Sequence, residues 1–318
     1  MPLPKRVEIH EEGPREGFQS ERPGFSIADR AALVEALAET GLRHIQVASF
    51  VNPQRVPQMA DAAELFAAIR RKPGVRYTGL WLNEQGFDRA SATAAVDLTG
   101  TLHFYASDTF ARQNSGKGAQ EYVQVQRRWI ARYREAGLPI ESAYVMTAFG
   151  CNYEGEIGED QLRATLRTLA QLEQDEGFEL PVLYLADTVG WGDPLAVRRR
   201  VRMAREVFPR ARIGLHLHDT RGLGIANALA ALEEGVDLFD ASIAGLGGCP
   251  FCGNTHGGAA GNVCTEDLAF LCERMGIETG LDLERLLDAA RLAERIIGRR
   301  LEGKLMHSGL PRAQEAVR

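Results

Sequence analysis

No stretch of this chain is apolar for long enough to cross a bilayer, and no signal-peptide core follows Met1-Pro2-Leu3-Pro4-Lys5-Arg6. The last residues, Glu315-Ala316-Val317-Arg318, match no lipidation or peroxisomal signal. Cysteine is scarce and odd in number, five in 318 residues, so free thiols in a reducing cytosol are expected rather than a disulfide framework. Charge of one sign is not in large excess either. A net charge of −6 and a pI of about 5.7 argue against a broad surface for nucleic acid or acidic membrane. Linkers, low-complexity tracts and short-period repeats are missing too. These absences lead to the expectation of a cytoplasmic globular protein without nucleic-acid or membrane partners. A hydrophobic content of 45% allows a substantial core.

What is present is an alternation of short apolar runs with longer amphipathic ones. Strands are predicted over 7–10, 44–48, 75–81, 102–105, 141–148, 182–186, 212–218 and 239–244. Helices are predicted over 27–40, 58–71, 84–94, 120–136, 159–176, 194–207 and 223–234, then 266–275 and 283–299. Ser26 with Asp29 three residues on resembles a capping box, Pro194 suits a first helical turn, and Gly41, Gly137 and Gly235 follow helical runs. Strands spaced by helices imply parallel pairing through crossovers. Eight such units point to one closed (β/α)8 TIM barrel with an added C-terminal helix, more than to an open doubly wound sheet. The expected division is a catalytic barrel over 1–276 and a helical extension packed on it over 277–318.

Such a barrel carries its active site at the C-terminal ends of its strands. The most informative residues stand there. His216-Leu217-His218-Asp219 closes the seventh run, and residues two apart in a strand point to the same side, so both imidazoles converge. A divalent metal is one reason for that; two structural histidines bonded to nearby backbone are the plain alternative. The first strand leads into Glu12-Gly13-Pro14-Arg15-Glu16, read as a Gly/Pro turn. There a carboxylate can ligate a cation while the guanidinium stabilises an enolate, or the two form a surface ion pair. Strand two ends at Gln46 to Val51, strand six at Asp187-Thr188, and strand eight runs into Gly245-Leu246-Gly247-Gly248-Cys249-Pro250 and on to Gly261-Asn262. Two imidazoles with a carboxylate and an amide oxygen suit Mg²⁺ or Mn²⁺, with Co²⁺ and Zn²⁺ open. Gln19, Gln46, Asn114 and Thr188 are the candidate substrate contacts.

Other motifs have plainer readings. Cys249-Pro250-Phe251-Cys252 has the spacing of a redox or zinc pair, with His256 and Cys264 nearby. Its late position in a glycine-rich loop favours a mobile acid/base or gating thiol at Cys249, with Cys252 incidental. Cys151 and Cys272 read as small core residues. Arg198-Arg199-Arg200 reads as a solvated helix face. The stretch from Phe110 to Lys117 reads either as a polar loop or as a contact for an anionic substrate.

Together these stretches resemble the 3-hydroxy-3-methylglutaryl-CoA lyases of the metal-dependent aldolase/Claisen-type barrel superfamily. The resemblance rests on GPREGFQSE, ASFVNPQRVPQMAD, FGCNYEG, LADTVGWG, GLHLHDTRGLGIANALAALEEGV, and AGLGGCPF followed by AGNVCTEDL, from residue 13 to about 268. It implies a divalent metal held by Glu16, His216, His218 and Asn262. It implies Arg15 on the enolate oxygen of the departing acetyl-CoA, with Asp187, His216 and Cys249 near the proton transfers. The implied reaction cleaves a 3-hydroxyacyl-CoA to acetyl-CoA and a keto acid such as acetoacetate, with an acyl-CoA as the small-molecule partner. A homodimer is compatible with the long C-terminal helix.

Three positions depart from the family pattern. Glu16 replaces the usual Asp, Gln46 replaces a Glu that would pair with the arginine, and the loop between Cys249 and Asn262 is longer. A carboxylate reaching one methylene further would suit a shorter substrate such as citramalyl-CoA, giving pyruvate and acetyl-CoA. A 4-hydroxy-2-oxo acid aldolase or a Claisen condensation on the same barrel is the neighbouring alternative. A redox or zinc-binding CxxC scaffold is the non-catalytic one.

Overall fold

In the computed structural model, which describes residues 2–248 and 261–311, the apolar members of each alternating run face outward beneath helices. Val7, Ile9, Ile45, Val47, Leu183 and Leu185 are all buried this way. The strands are β1 (Glu8–Glu11), β2 (His44–Ser49), β3 (Arg76–Leu80), β4 (Gly100–Tyr105), β5 (Ile140–Met146), a small antiparallel pair β6 (Gly150–Cys151) and β7 (Gly155–Glu156), β8 (Val182–Asp187), β9 (Arg212–Leu217) and β10 (Leu238–Ala241). The helices are α1 (Gly13–Ser20), α2 (Ile27–Ala38), α3 (Ala62–Ala68), α4 (Glu84–Ser91), α5 (Asp108–Ser115), α6 (Ala119–Glu135), α7 (Glu159–Glu176), α8 (Pro194–Val207), α9 (Gly224–Glu233), α10 (Thr265–Arg274), α11 (Leu283–Ile297) and α12 (Leu305–Ser308). No helix among the described residues is long and apolar enough to cross a membrane.

Eight parallel strands curl in the order β3-β2-β1-β10-β9-β8-β5-β4, the (β/α)8 barrel expected from the alternation. The ladder is interrupted at one seam, between β3 and β4. There Asp97 stands in for a neighbouring strand: its N–H donates to the Tyr77 carbonyl at 2.9 Å and its carboxylate accepts from the Tyr77 N–H at 2.7 Å. The extension lies against the barrel. The Glu278 N–H donates to the Lys5 carbonyl, the Val7 N–H returns to Glu278, and α11 packs on α2.

Local signals account for most boundaries. Ser26 accepts from the Asp29 N–H at 3.0 Å, and Asp193 accepts from the Leu195 and Ala196 N–H groups ahead of Pro194. Gly137 and Gly235 adopt φ of +70° and +75° just past α6 and α9, a conformation that strains other residues. Several expectations need correction. Residues 13–20 form helix α1 and not a turn, because Pro14 fits a first turn and Glu16 meets the helix dipole. Residues 108–115 form α5, capped by Ser107. Strand β10 ends three residues early, at a 3₁₀ turn where Ala244 takes φ +56°. Arg200 is not solvated: it is 2% exposed beneath the Phe149 ring, donating to the Ala148 and Ile157 carbonyls. Cys151 and Cys272 are buried.

Candidate active site

The register of the sheet sets the site. His216 lies between Ala186 of β8 and Asp240 of β10, and its Nδ1 is 2.9 Å from the Asp240 carboxylate. Its Nε2 faces the His218 Nε2 at 3.1 Å. His218 falls just past β9, where it bridges Asn262 on the returning chain, held there by the Val263 N–H donating to the Leu217 carbonyl. Glu16, on the first turn of α1, brings its carboxylate to 3.6 Å from His216 and 4.0 Å from His218. The ligand atoms of these three residues lie within 4.8 Å of one another, all buried. Asn262 donates from Nδ2 to Glu16 at 2.8 Å, and its Oδ1 has no partner among the described residues although it is wholly buried. A buried amide oxygen without a donor is costly unless something else fills its lone pair. Four donor atoms of this kind fit a divalent cation, with Asp240 fixing the tautomer of His216 from behind.

Arg15 stands beside this cluster. Its guanidinium donates to Glu12 at 2.5 Å, lies 3.1 Å from Glu16, and donates from Nε to the Gln46 side-chain oxygen. The carboxylate missing at Gln46 is therefore supplied by Glu12, a residue that the sequence reading passed over. Burial pushes the Glu12 carboxyl up to about 7, with Asp240 and Glu16 adding to the rise against Arg15 and His216. Burial acts the same way on Glu16, but the charges of Arg15, His216 and His218 outweigh it and hold its carboxyl low. For His216, burial favours the neutral ring, yet Asp240 and Glu16 overcome it and the pKa rises.

A cavity of about 560 Å³ is lined by Arg15, Glu16, Gln19, Gln46, Thr188 and His216, among others. Asn114 lines it too, donating to the Tyr105 hydroxyl at 2.8 Å. Thr188 accepts from the Thr147 N–H, and Gln19 accepts from Ser49. Asp187 is placed differently. Its oxygens accept from the Trp191 and Gly192 N–H groups at 2.7 and 2.9 Å, and it does not line the cavity. Burial pushes its carboxyl up to about 6, against those two hydrogen bonds. The glycine-rich loop starts over the ligand cluster: at Gly247, φ +111°, a Cβ would sit 2.9 Å from that of Glu16. Cys249, with Cys252 and His256, lies outside the described residues. Sequence reasoning also missed Asp240 and Tyr144, whose hydroxyl donates to Asp240 at 2.9 Å. The available signal was the polar residues at alternate positions of otherwise apolar strands.

The HMGL-like family model matches residues 6–293. A 3-hydroxy-3-isohexenylglutaryl-CoA/hydroxy-methylglutaryl-CoA lyase of Pseudomonas aeruginosa is 36% identical over 299 residues, 94% of this chain and 95% of that protein. The chain belongs to the HMGL-like family. Its curated relatives are named hydroxymethylglutaryl-CoA lyases, which are carbon–carbon lyases. The crystal structure of the hydroxymethylglutaryl-CoA lyase from Pseudomonas aeruginosa superposes with a TM-score of 0.86 at 35% identity, covering 97% of this chain and 98% of that one. An HMG-CoA lyase from Acinetobacter baumannii, in complex with coenzyme A and 3-methylmalate, gives 0.86 at 32% identity, covering 99% and 98%.

Proposed function

We propose that this chain cleaves 3-hydroxy-3-methylglutaryl-CoA between C2 and C3 to acetyl-CoA and acetoacetate, using a divalent metal held by Glu16, His216, His218 and Asn262. The observation that carries this reading is the buried, unpartnered Oδ1 of Asn262, whose Nδ2 donates to Glu16 within a cluster that holds one carboxylate and two imidazoles. A bound cation there would lower the pKa of the substrate hydroxyl and hold its oxygens. Arg15, fixed from three sides, would meet the thioester oxygen as negative charge develops on it. The C3 hydroxyl gives up its proton, the C2–C3 bond breaks, and its electron pair passes to the thioester side as an enolate, which is then protonated at C2. Ligation through Nε2 would leave His216 with its Nδ1 committed to Asp240, so proton transfer falls to other groups at the cavity. Glu12, which lines the cavity with its carboxyl held near neutrality, is the candidate among the described residues, and Cys249 is the candidate that the sequence alone supplies.

The thioester arm has a place to lie. A groove of about 700 Å³ shares Gln19, Tyr105 and Asn114 with the acyl cavity and carries Arg55, Lys117, Arg128 and Arg132. On a chain of net charge −6, four cations around one groove suit the phosphates of coenzyme A. A second reading, citramalyl-CoA to pyruvate and acetyl-CoA, rests on Glu16, whose carboxylate reaches one methylene further into the cluster than an aspartate would. The test is a coupled assay on metal-reconstituted protein with both esters. Acetoacetate from the longer ester, abolished by chelator and restored by Mg²⁺ or Mn²⁺, is the expected result. Pyruvate from the shorter ester alone would move the assignment to the second reading, and activity unaffected by chelator would remove the metal from it.

A further inference from the structure

Below the metal cluster the barrel interior is not filled as barrels usually are. Inward positions of such barrels normally carry bulky branched apolar side chains in packed layers. Here the inward positions under His216 hold His10, His44, Thr101, His103, Ser142 and Tyr184, and the cavity continues among them toward the Arg212–Glu8 ion pair at 2.6 Å. The acyl site and this shaft together make up the cavity of about 560 Å³, the size of a site for a drug-sized ligand. The shaft is polar without being charged at its waist. Burial holds the His44 imidazole well below its usual pKa and that of His103 at about 4, with Arg15 adding to the second effect, so both rings are neutral near pH 7. Some of its groups satisfy one another: Tyr184 meets His10 at 3.0 Å, His44 meets Thr78 at 2.8 Å, and Thr101 meets Ser142 at 3.1 Å. One does not. The Oδ1 of Asp240, fully buried and lining the cavity, has no hydrogen-bond partner among the described residues.

We propose that this shaft receives the C3 branch of the acyl substrate, and that the enzyme therefore also cleaves 3-hydroxyacyl-CoA esters whose branch is longer than methyl and ends in a hydroxyl. The inference rests on the lyase reading above and deepens it. A hydroxyl is the chemistry the lining selects, because it donates to an unpartnered carboxylate oxygen and accepts from neutral imidazole or hydroxyl donors. A carboxylate, which only accepts, would have no proton to give the Asp240 oxygen, and an apolar branch would strand these groups without water. The reaction is unchanged: the ester gives acetyl-CoA and a 3-oxo acid that keeps the hydroxylated branch, with the C3 hydroxyl proton leaving and C2 gaining one.

The test compares three CoA esters that differ only at C3, carrying methyl, 2-hydroxyethyl or n-propyl, on the metal-reconstituted full chain with acetyl-CoA release as the readout. The expected result is turnover of the methyl ester, with kcat/KM for the hydroxyethyl ester at least about tenfold above that for its propyl isostere. Propyl equal to or better than hydroxyethyl overturns the proposal. So does turnover of the methyl ester alone, which would make the shaft a water-filled part of the core. No acetyl-CoA from any of the three sinks the lyase reading and this inference with it. His103→Phe removes the ring nitrogens while leaving a ring to stack on Tyr144, and it should narrow the hydroxyethyl-to-propyl ratio. A purely structural effect would scale all three esters together.

Discussion

Strands β8 and β9 are neighbours in the sheet, and each ends in polar residues that look equally functional in sequence. Their ends differ in what remains unsatisfied. At β8 the Asp187 carboxylate is spent on the Trp191 and Gly192 amides, so it braces its own loop. At β9 His216 and His218 turn ring nitrogens toward each other and toward Glu16, and Asn262 beside them leaves a buried oxygen without a donor. The same rim thus carries one carboxylate with both oxygens hydrogen-bonded to backbone and one cluster with a buried oxygen left over. The difference is one of hydrogen-bond accounting, not of residue type or position.

The largest expected effect comes from breaking the β9 side. His218→Ala should empty the cluster of metal and lower kcat by more than the ~10–100-fold typical of losing only an outer partner of a metal site. Metal content by elemental analysis, read with kcat, checks this; full metal occupancy in the variant would contradict the ligand assignment. Arg15→Met should cost about 10²–10³ in kcat with metal retained, as for loss of a group that stabilises developing charge. Glu12→Gln sharpens the point about the relocated carboxylate. It removes the cavity carboxyl held near neutrality and should lower kcat by about 10²-fold, with Glu16 still facing Arg15 at 3.1 Å. Gln46→Glu combined with it should recover part of that loss, whereas no recovery would mean that the two positions are not interchangeable.

On the β8 side the effects should be smaller in rate and visible in folding. Asp187→Asn keeps one acceptor but turns a donating amide NH2 toward a backbone N–H, a loss of about 1–3 kcal/mol with kcat within about tenfold. A fall in kcat beyond a hundredfold at unchanged stability would break the comparison and make Asp187 a proton-transfer group. The smallest effect concerns Glu266, wholly buried beneath the 3₁₀ turn, whose carboxyl burial pushes up to about 8 from an ordinary 4.5, with Asp267 adding to it. A raised carboxyl pKa means the folded state holds a proton that the unfolded state has released. Stability from this group is present below about pH 4.5 and is lost as pH rises through about 8. Glu266→Gln should therefore gain on the parent in melting temperature from pH 5 to pH 9; parallel curves would show that the carboxyl does not titrate there.

Much of this was legible in the chain. The period-two runs and the helices between them specified eight parallel strands, and Pro194 marked the start of α8 to the residue. The HxH at the end of β9 and the Arg-Glu pair after β1 were readable as a site because barrels put chemistry at strand ends. Other features were hidden. Residues 13–20 looked like a turn because Gly and Pro punctuate them, although an N-terminal proline is tolerated by a helix. Arg200 looked solvated because its neighbours Arg198 and Arg199 are, yet helix periodicity rotates it onto the carbonyls of residues 148 and 157.

Sequence by itself determined the class of fold, the family and the donor types at the rim, since periodicity and residue chemistry are local properties. Tertiary structure alone decided which donors remain unpaired. Asp240 reaches His216 only through the register of β9 against β10, Glu12 replaces the charge absent at Gln46 only because α1 carries Arg15 between them, and Asn262 meets His218 only where the returning chain pairs with the end of β9. Each of these depends on residues far apart in the chain being brought within a few ångströms, where satisfaction of a buried polar atom is settled.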